Sequence, residues 1–150
     1  MAKTALTVKM QIEGVRETLR AFSVLPKEAQ DALRDRSQEL SKLLAAKLKV
    51  AASADSRQAA LMATTVKANR DRVPSITAGG TRKVGRNKVP AYKILFGSEF
   101  GSNHLKQFRP HQADGYWFFA VVKRDAADIA RAWQQAADDV AAAFARGDIG

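Results

Sequence analysis

Few residues of this 150-residue chain are placed to do covalent chemistry. Glu99 is the only acid between Asp71 and Asp114. General acid–base and glycosidic chemistry need a second titratable group beside the first, so a partner for Glu99 would have to come from a distant part of the chain. His104 and His111 are the only histidines, and they stand seven apart in an expected loop. They could form a zinc pair, but there is no cysteine to complete a ligand set, and two surface histidines is the plainer reading. No glycine-rich run ends in Gly-Lys-Ser/Thr to cradle phosphate, and no nucleophile elbow presents a serine. Asp125, Asp128, Asp138 and Asp139 suit the wet side of a helix. The expectation is a non-enzyme with no cofactor and no metal.

Charge is more informative. The net charge is +10, and it is uneven. Residues 1–50 hold ten Lys or Arg against six Asp or Glu, residues 51–110 eleven against three, and residues 111–150 four against six. Such a basic middle attracts nucleic acid, anionic membrane or acidic protein without choosing between them. Its densest part is 79–90, with Arg82, Lys83, Arg86, Lys88, three glycines and no acid. This composition predicts a loop that is mobile in the isolated protein. It could neutralise phosphates along a duplex, order itself against an acidic neighbouring subunit, or simply keep the chain soluble. Nothing in it reads bases, and no helix-turn-helix, zinc finger or aromatic RNA-binding motif accompanies it.

The elements that must position these groups follow from periodicity. Leu6, Val8, Met10 and Ile12 alternate with polar residues, as in a half-buried strand. Val15, Leu19 and Phe22 recur at helical spacing up to Leu25. Pro26 suits the first turn of a second helix, whose stripe runs Ala29, Leu33, Leu40, Leu44, Leu48 and Ala51, widened by Leu43. Leu61–Asn69 and Val73–Ala78 read as a hairpin, with Pro74 at an edge or bulge. Ile129, Trp133, Ala136, Val140 and Phe144 mark a C-terminal helix that starts near Phe119. The expected fold is a single α+β domain over 1–150. It has a small, mainly antiparallel sheet (strands near 5–13, 61–69, 73–78 and 91–97) with two long helices, near 26–51 and 119–146, on one face. Apolar runs fall well short of the roughly 20 residues of a membrane helix, and no charged-then-apolar leader opens the chain, so a soluble, unprocessed protein is expected.

Eight of the eleven aromatic residues lie between Tyr92 and Phe119, which places the centre of the core there. Ala91–Phe96 is rich in strand formers, and Gly97 and Gly101 bracket Glu99, predicting a strand that ends in a glycine turn with positive φ on both sides of the acid.

Phe96-Gly97-Ser98-Glu99-Phe100-Gly101-Ser102, followed by Gln107-Phe108-Arg109-Pro110, resembles the signature of the small neck, or tail-completion, proteins of long-tailed phages, the relatives of the lambda minor tail protein Z. The ordered set of Gly14–Leu19, Leu25-Pro26 opening a long helix, the hairpin, the signature and a C-terminal helix extends the likeness over most of the chain. The chain departs from that pattern in two places. Asp55-Ser56-Arg57-Gln58 stands where many members have Thr-Gly, and His111–Gly115 is inserted before the last aromatic run.

The resemblance implies a structural virion protein, assembled in the host cytoplasm, that forms part of a ring at the head–tail junction. The ring, expected to be a hexamer, would join the head connector or stopper proteins to the tail terminator or tail tube, and DNA would pass through its channel. On this reading Phe96, Gly97, Glu99, Phe100, Gly101, Phe108, Arg109 and Pro110 are candidate subunit contacts. Arg82, Lys83, Arg86 and Lys88 would meet a partner protein or the passing DNA. A tail terminator of the same region, or a nucleic-acid-binding accessory protein without sequence preference, are the alternatives.

Overall fold

The computed structural model describes residues 5–103, 107–112 and 115–148. Strand β1 (Ala5–Lys9) leads to helix α1 (Val15–Ser23) and then to the long helix α2 (Lys27–Asp55). A short turn of helix, α3 (Arg57–Ala60), runs into a 3-10 segment (Leu61–Thr65) and strand β2 (Lys67–Ala68). Strands β3 (Ser75–Gly79), β4 (Lys83–Val84) and β5 (Val89–Pro90) follow, then α4 (Ala91–Phe100) and α5 (Phe118–Ala145). The α+β architecture expected from the sequence is the one observed.

One sheet has the order β1-β3-β2 and is antiparallel throughout, with Leu6 opposite Ala78 and Val8 opposite Ile76. The alternation in β1 does what its pattern implies: Leu6 and Val8 are half-buried, Thr7 and Lys9 exposed. Met10 and Ile12 continue the inward set beyond the strand. Helix α2 is the central element, with α5 packed along it and β2 and β3 against another of its sides. Its fully buried stripe runs through Ala29, Leu33, Ser37, Ser41, Leu44 and Leu48, so two serines sit where an apolar residue would be expected. They are there to bond: Ser37 Oγ donates to the Arg72 carbonyl at 2.8 Å, and Ser41 Oγ accepts from the Ser75 amide at 2.8 Å. Trp133 of α5, fully buried, donates its indole N–H to Ser37 Oγ (3.0 Å) and to the Arg72 carbonyl (2.8 Å). One polar knot thus ties both long helices to the turn that opens β3.

Four expectations need correction. Asp125, expected with Asp128, Asp138 and Asp139 on the wet side of the last helix, is buried and pairs with Lys47 of α2 at 3.4 Å. The segment 91–97 is helix, not strand. Ala91, Ile94, Leu95 and Ser98 are buried at helical spacing, and Pro90 stands at the N-cap, where φ near −60° and a missing donor suit a helix start. The strand formers of this segment are aromatic and β-branched residues, which a well-packed helix also accepts. The segment 61–69 is mostly a 3-10 helix with only two residues of strand. Thr65 holds it in that form by donating to the Met62 carbonyl (2.8 Å) and accepting from the Gly79 amide (3.1 Å). The expected loop 79–90 contains a two-stranded ribbon in which Lys83 faces Pro90 and Val84 faces Val89. Among the described residues, no helix is long and apolar enough to cross a membrane.

Candidate functional site

Helix α4 is apolar on two sides. Its inner side is buried, and its outer side carries Tyr92, Phe96 and Phe100 four residues apart, one above another. Phe96 stacks on Phe100 at 6.4 Å between centroids, and Phe100 meets Phe119 at 6.0 Å. Together with Val89 and Phe108, this stripe lines an open cleft of about 630 Å³ whose walls are mainly apolar. Phe96 is 40% exposed there.

The two glycines of the signature have different duties. Gly97 lies within α4, not at positive φ as the sequence suggested, and its missing side chain makes room for the Phe108 ring, which would collide with any Cβ. Gly101 ends the helix at φ 73°, with the Arg109 and Pro110 carbonyls pressed against it. These close approaches bring the Gln107–Pro110 segment back over α4. Pairing completes the return: the Ser102 amide donates to the Arg109 carbonyl, and the Gln112 amide to the Phe100 carbonyl, both at 2.7 Å.

Glu99 sits at the centre, 1% exposed. Its Oε1 accepts from the amides of Tyr116 (3.0 Å), Trp117 (2.7 Å) and Phe118 (2.9 Å), and its Oε2 from that of Phe119 (2.9 Å). These are the amides at and just before the first turn of α5, which has no side-chain cap of its own. The start of a helix leaves unpaired N–H groups and a partial positive charge, and a carboxylate satisfies both. Ser98 adds to the joint by accepting from the Trp117 indole at 3.1 Å. Gly115 is required as well, since a Cβ there would run into the Glu99 carboxylate. With its acceptor sites taken and solvent excluded, the carboxylate is built to hold a helix end. Its surface is covered by its own chain, and within this fold Glu99 is an internal anchor.

Arg109 fastens the return segment from outside. Its guanidinium pairs with Asp55 at the end of α2 and lies 3.7 Å from the centre of the Tyr116 ring, while the Tyr116 hydroxyl donates to the Pro110 carbonyl at 2.8 Å. The structure therefore brings the eight candidate contact residues of the signature into one unit joining α2, α4 and α5. Asp55, Ser98, Gly115 and Tyr116 also belong to it. Sequence reasoning missed them because each acts on a residue far along the chain. Compared with protein-family models, with curated proteins and with solved structures, the chain matches none.

The four cations of the other candidate group, Arg82, Lys83, Arg86 and Lys88, are exposed on the β4–β5 ribbon. Arg82 reaches back to the Thr64 carbonyl at 3.2 Å. His111 is exposed, its amide bonded to the Asn103 side chain at 3.1 Å, and His104 lies outside the described residues. Among the described residues there is no group of three or more His, Cys, Asp or Glu that could hold a metal ion.

Proposed function

We propose that this chain is a structural virion protein of the neck of a long-tailed phage, one subunit of a ring between the head connector and the tail. The observation that supports the reading is the fate of the signature. Its charged and glycine positions build a rigid joint, and its aromatic positions are left to line an open cleft. Closed rings use two different complementary patches on each subunit, and a firmly backed apolar cleft suits one of them. Phe96, Phe100 and Phe108 are the contacts this cleft offers; Gly97, Glu99, Gly101, Arg109 and Pro110 hold it in shape. The cations Arg82, Lys83, Arg86 and Lys88 of the basic ribbon are not among the residues lining the cleft, and they serve a different contact.

Cryo-electron microscopy of the particle that carries this chain tests the proposal. The expected result is a ring of the chain at the head–tail junction, with the α4 cleft covered by the next subunit. Absence of the chain from purified particles would overturn it. Deleting residues 82–88 should impair assembly or infectivity. A charge reversal at Glu99 is not an equivalent test, because it would break the fold first.

A further inference from the structure

A second basic feature adjoins the ribbon. Lys42 and Lys49 of α2 and Lys67 of β2 line one shallow cleft, with Ala45, Ala46 and Ala68 between them. Among the described residues none of these three lysines is in an ion pair. The nearest acid in sequence, Glu39, is a turn away from Lys42 and is drawn to Arg36 at 3.9 Å. Between Ser56 and Ser98 the only acid is Asp71, which is held by Lys9 at 3.2 Å. Val66, in the wall of this cleft, is two residues from Thr64, whose carbonyl receives Arg82, and two residues span at most about 7 Å. Gly85 of the ribbon rests against Leu61 of the same 3-10 segment. The lysine cleft and the ribbon are therefore neighbours across one short stretch of chain.

We infer that these two features form a single surface for the phosphate backbone of double-stranded DNA, bound without regard to sequence. A stretch of cations that lacks acids to compensate it recruits a polyanion and releases that polyanion's counterions. The choice of DNA over an acidic protein rests on what lies between the cations. Protein interfaces are depleted in lysine and anchored by large buried aromatic or arginine side chains, whereas this surface has alanines, Thr64 and Gly85 between its charges. Small side chains let a rod of phosphates approach closely. No aromatic residue stands among the cations to stack a base, which favours an intact duplex over single strands.

The test is fluorescence anisotropy of the full chain on a labelled 30-bp duplex of random sequence, over a series of salt concentrations. The triple variant Lys42→Gln, Lys49→Gln, Lys67→Gln should bind at least about tenfold more weakly at 100 mM salt. Its plot of log K against log salt should be shallower by about 2 to 3, at just under one for each phosphate that is no longer neutralised. The corresponding triple Lys→Arg variant should bind like wild type, which guards against a folding artefact. A variant without three exposed charges elsewhere, Arg16→Gln, Arg20→Gln, Lys123→Gln, should keep its affinity. Equal weakening in that control would overturn the inference in favour of net charge alone. Undiminished binding by the lysine triple, or competition by poly-glutamate as effective as by unlabelled duplex, would also overturn it. The inference stands apart from the ring: a chain seen in the neck that binds no duplex keeps the proposed function and loses this surface, and the reverse result does the opposite.

Discussion

Glu99 shows how much one side chain can hold. Four amides point at one carboxylate, and bonds to an ionised acceptor are roughly twice as strong as neutral ones. Glu99→Ala would leave those amides buried and unpaired and remove the charge facing the helix dipole. The expected loss is about 3–5 kcal/mol, a fall in Tm on the order of 10 °C for a chain of this size. Glu99→Gln should lose less, because the amide oxygen still accepts, though without charge. Thermal unfolding followed by circular dichroism measures both, and an alanine variant as stable as wild type would refute the anchoring role. This role was not legible in the sequence. A capping acid normally sits next to its helix, and Glu99 lies 17 to 20 residues ahead of the amides it serves.

At the scale of elements, some of the joins between α2 and the sheet are polar. Ser41→Ala strands the buried Ser75 amide and should cost about 1–3 kcal/mol, measured by denaturant unfolding, even though it makes the α2 stripe more apolar. A gain in stability would show that burial outweighs the bond. At the end of the same sheet, Asp71 accepts from the Arg72 amide at 2.7 Å and meets Lys9 of β1 at 3.2 Å. Burial raises its pKa, but the Arg72 amide and the Lys9 ammonium outweigh that and hold the carboxyl below its ordinary value of 3.8. With the folded value depressed, the stabilisation is fully present above 3.8 and is lost as pH falls through the lower, folded value. Tm should drop as pH falls below about 4, and part of that drop should vanish in Asp71→Asn. The two long helices were readable because their apolar periods are long. The 61–65 and 91–100 segments were not, because short apolar runs fit either period and their tertiary surroundings chose between them.

At the scale of the whole molecule, the cleft over α4 is a firm surface with an exposed aromatic wall. Phe96→Lys should leave Tm within a few degrees, since Phe96 is well exposed and its removal opens no internal cavity. For the proposed ring, the same change should abolish assembly measured by sedimentation; unchanged assembly would remove the cleft from the proposed contact. Sequence by itself determined the α+β class, the two long helices and the basic middle, because periodicity and composition act locally and are printed in the order of residues. Of the eight aromatics between Tyr92 and Phe119, expected at the centre of the core, only Trp117 and Phe118 are buried, and most of the others line the cleft. Only the tertiary structure decided that Ala91–Phe100 is a helix, that Gly97 makes room for Phe108, that Glu99 serves α5, and that Lys42, Lys49 and Lys67 share one cleft. Each of these depends on groups distant in the chain meeting in space, where burial and unpaired amides set a cost that no local pattern records.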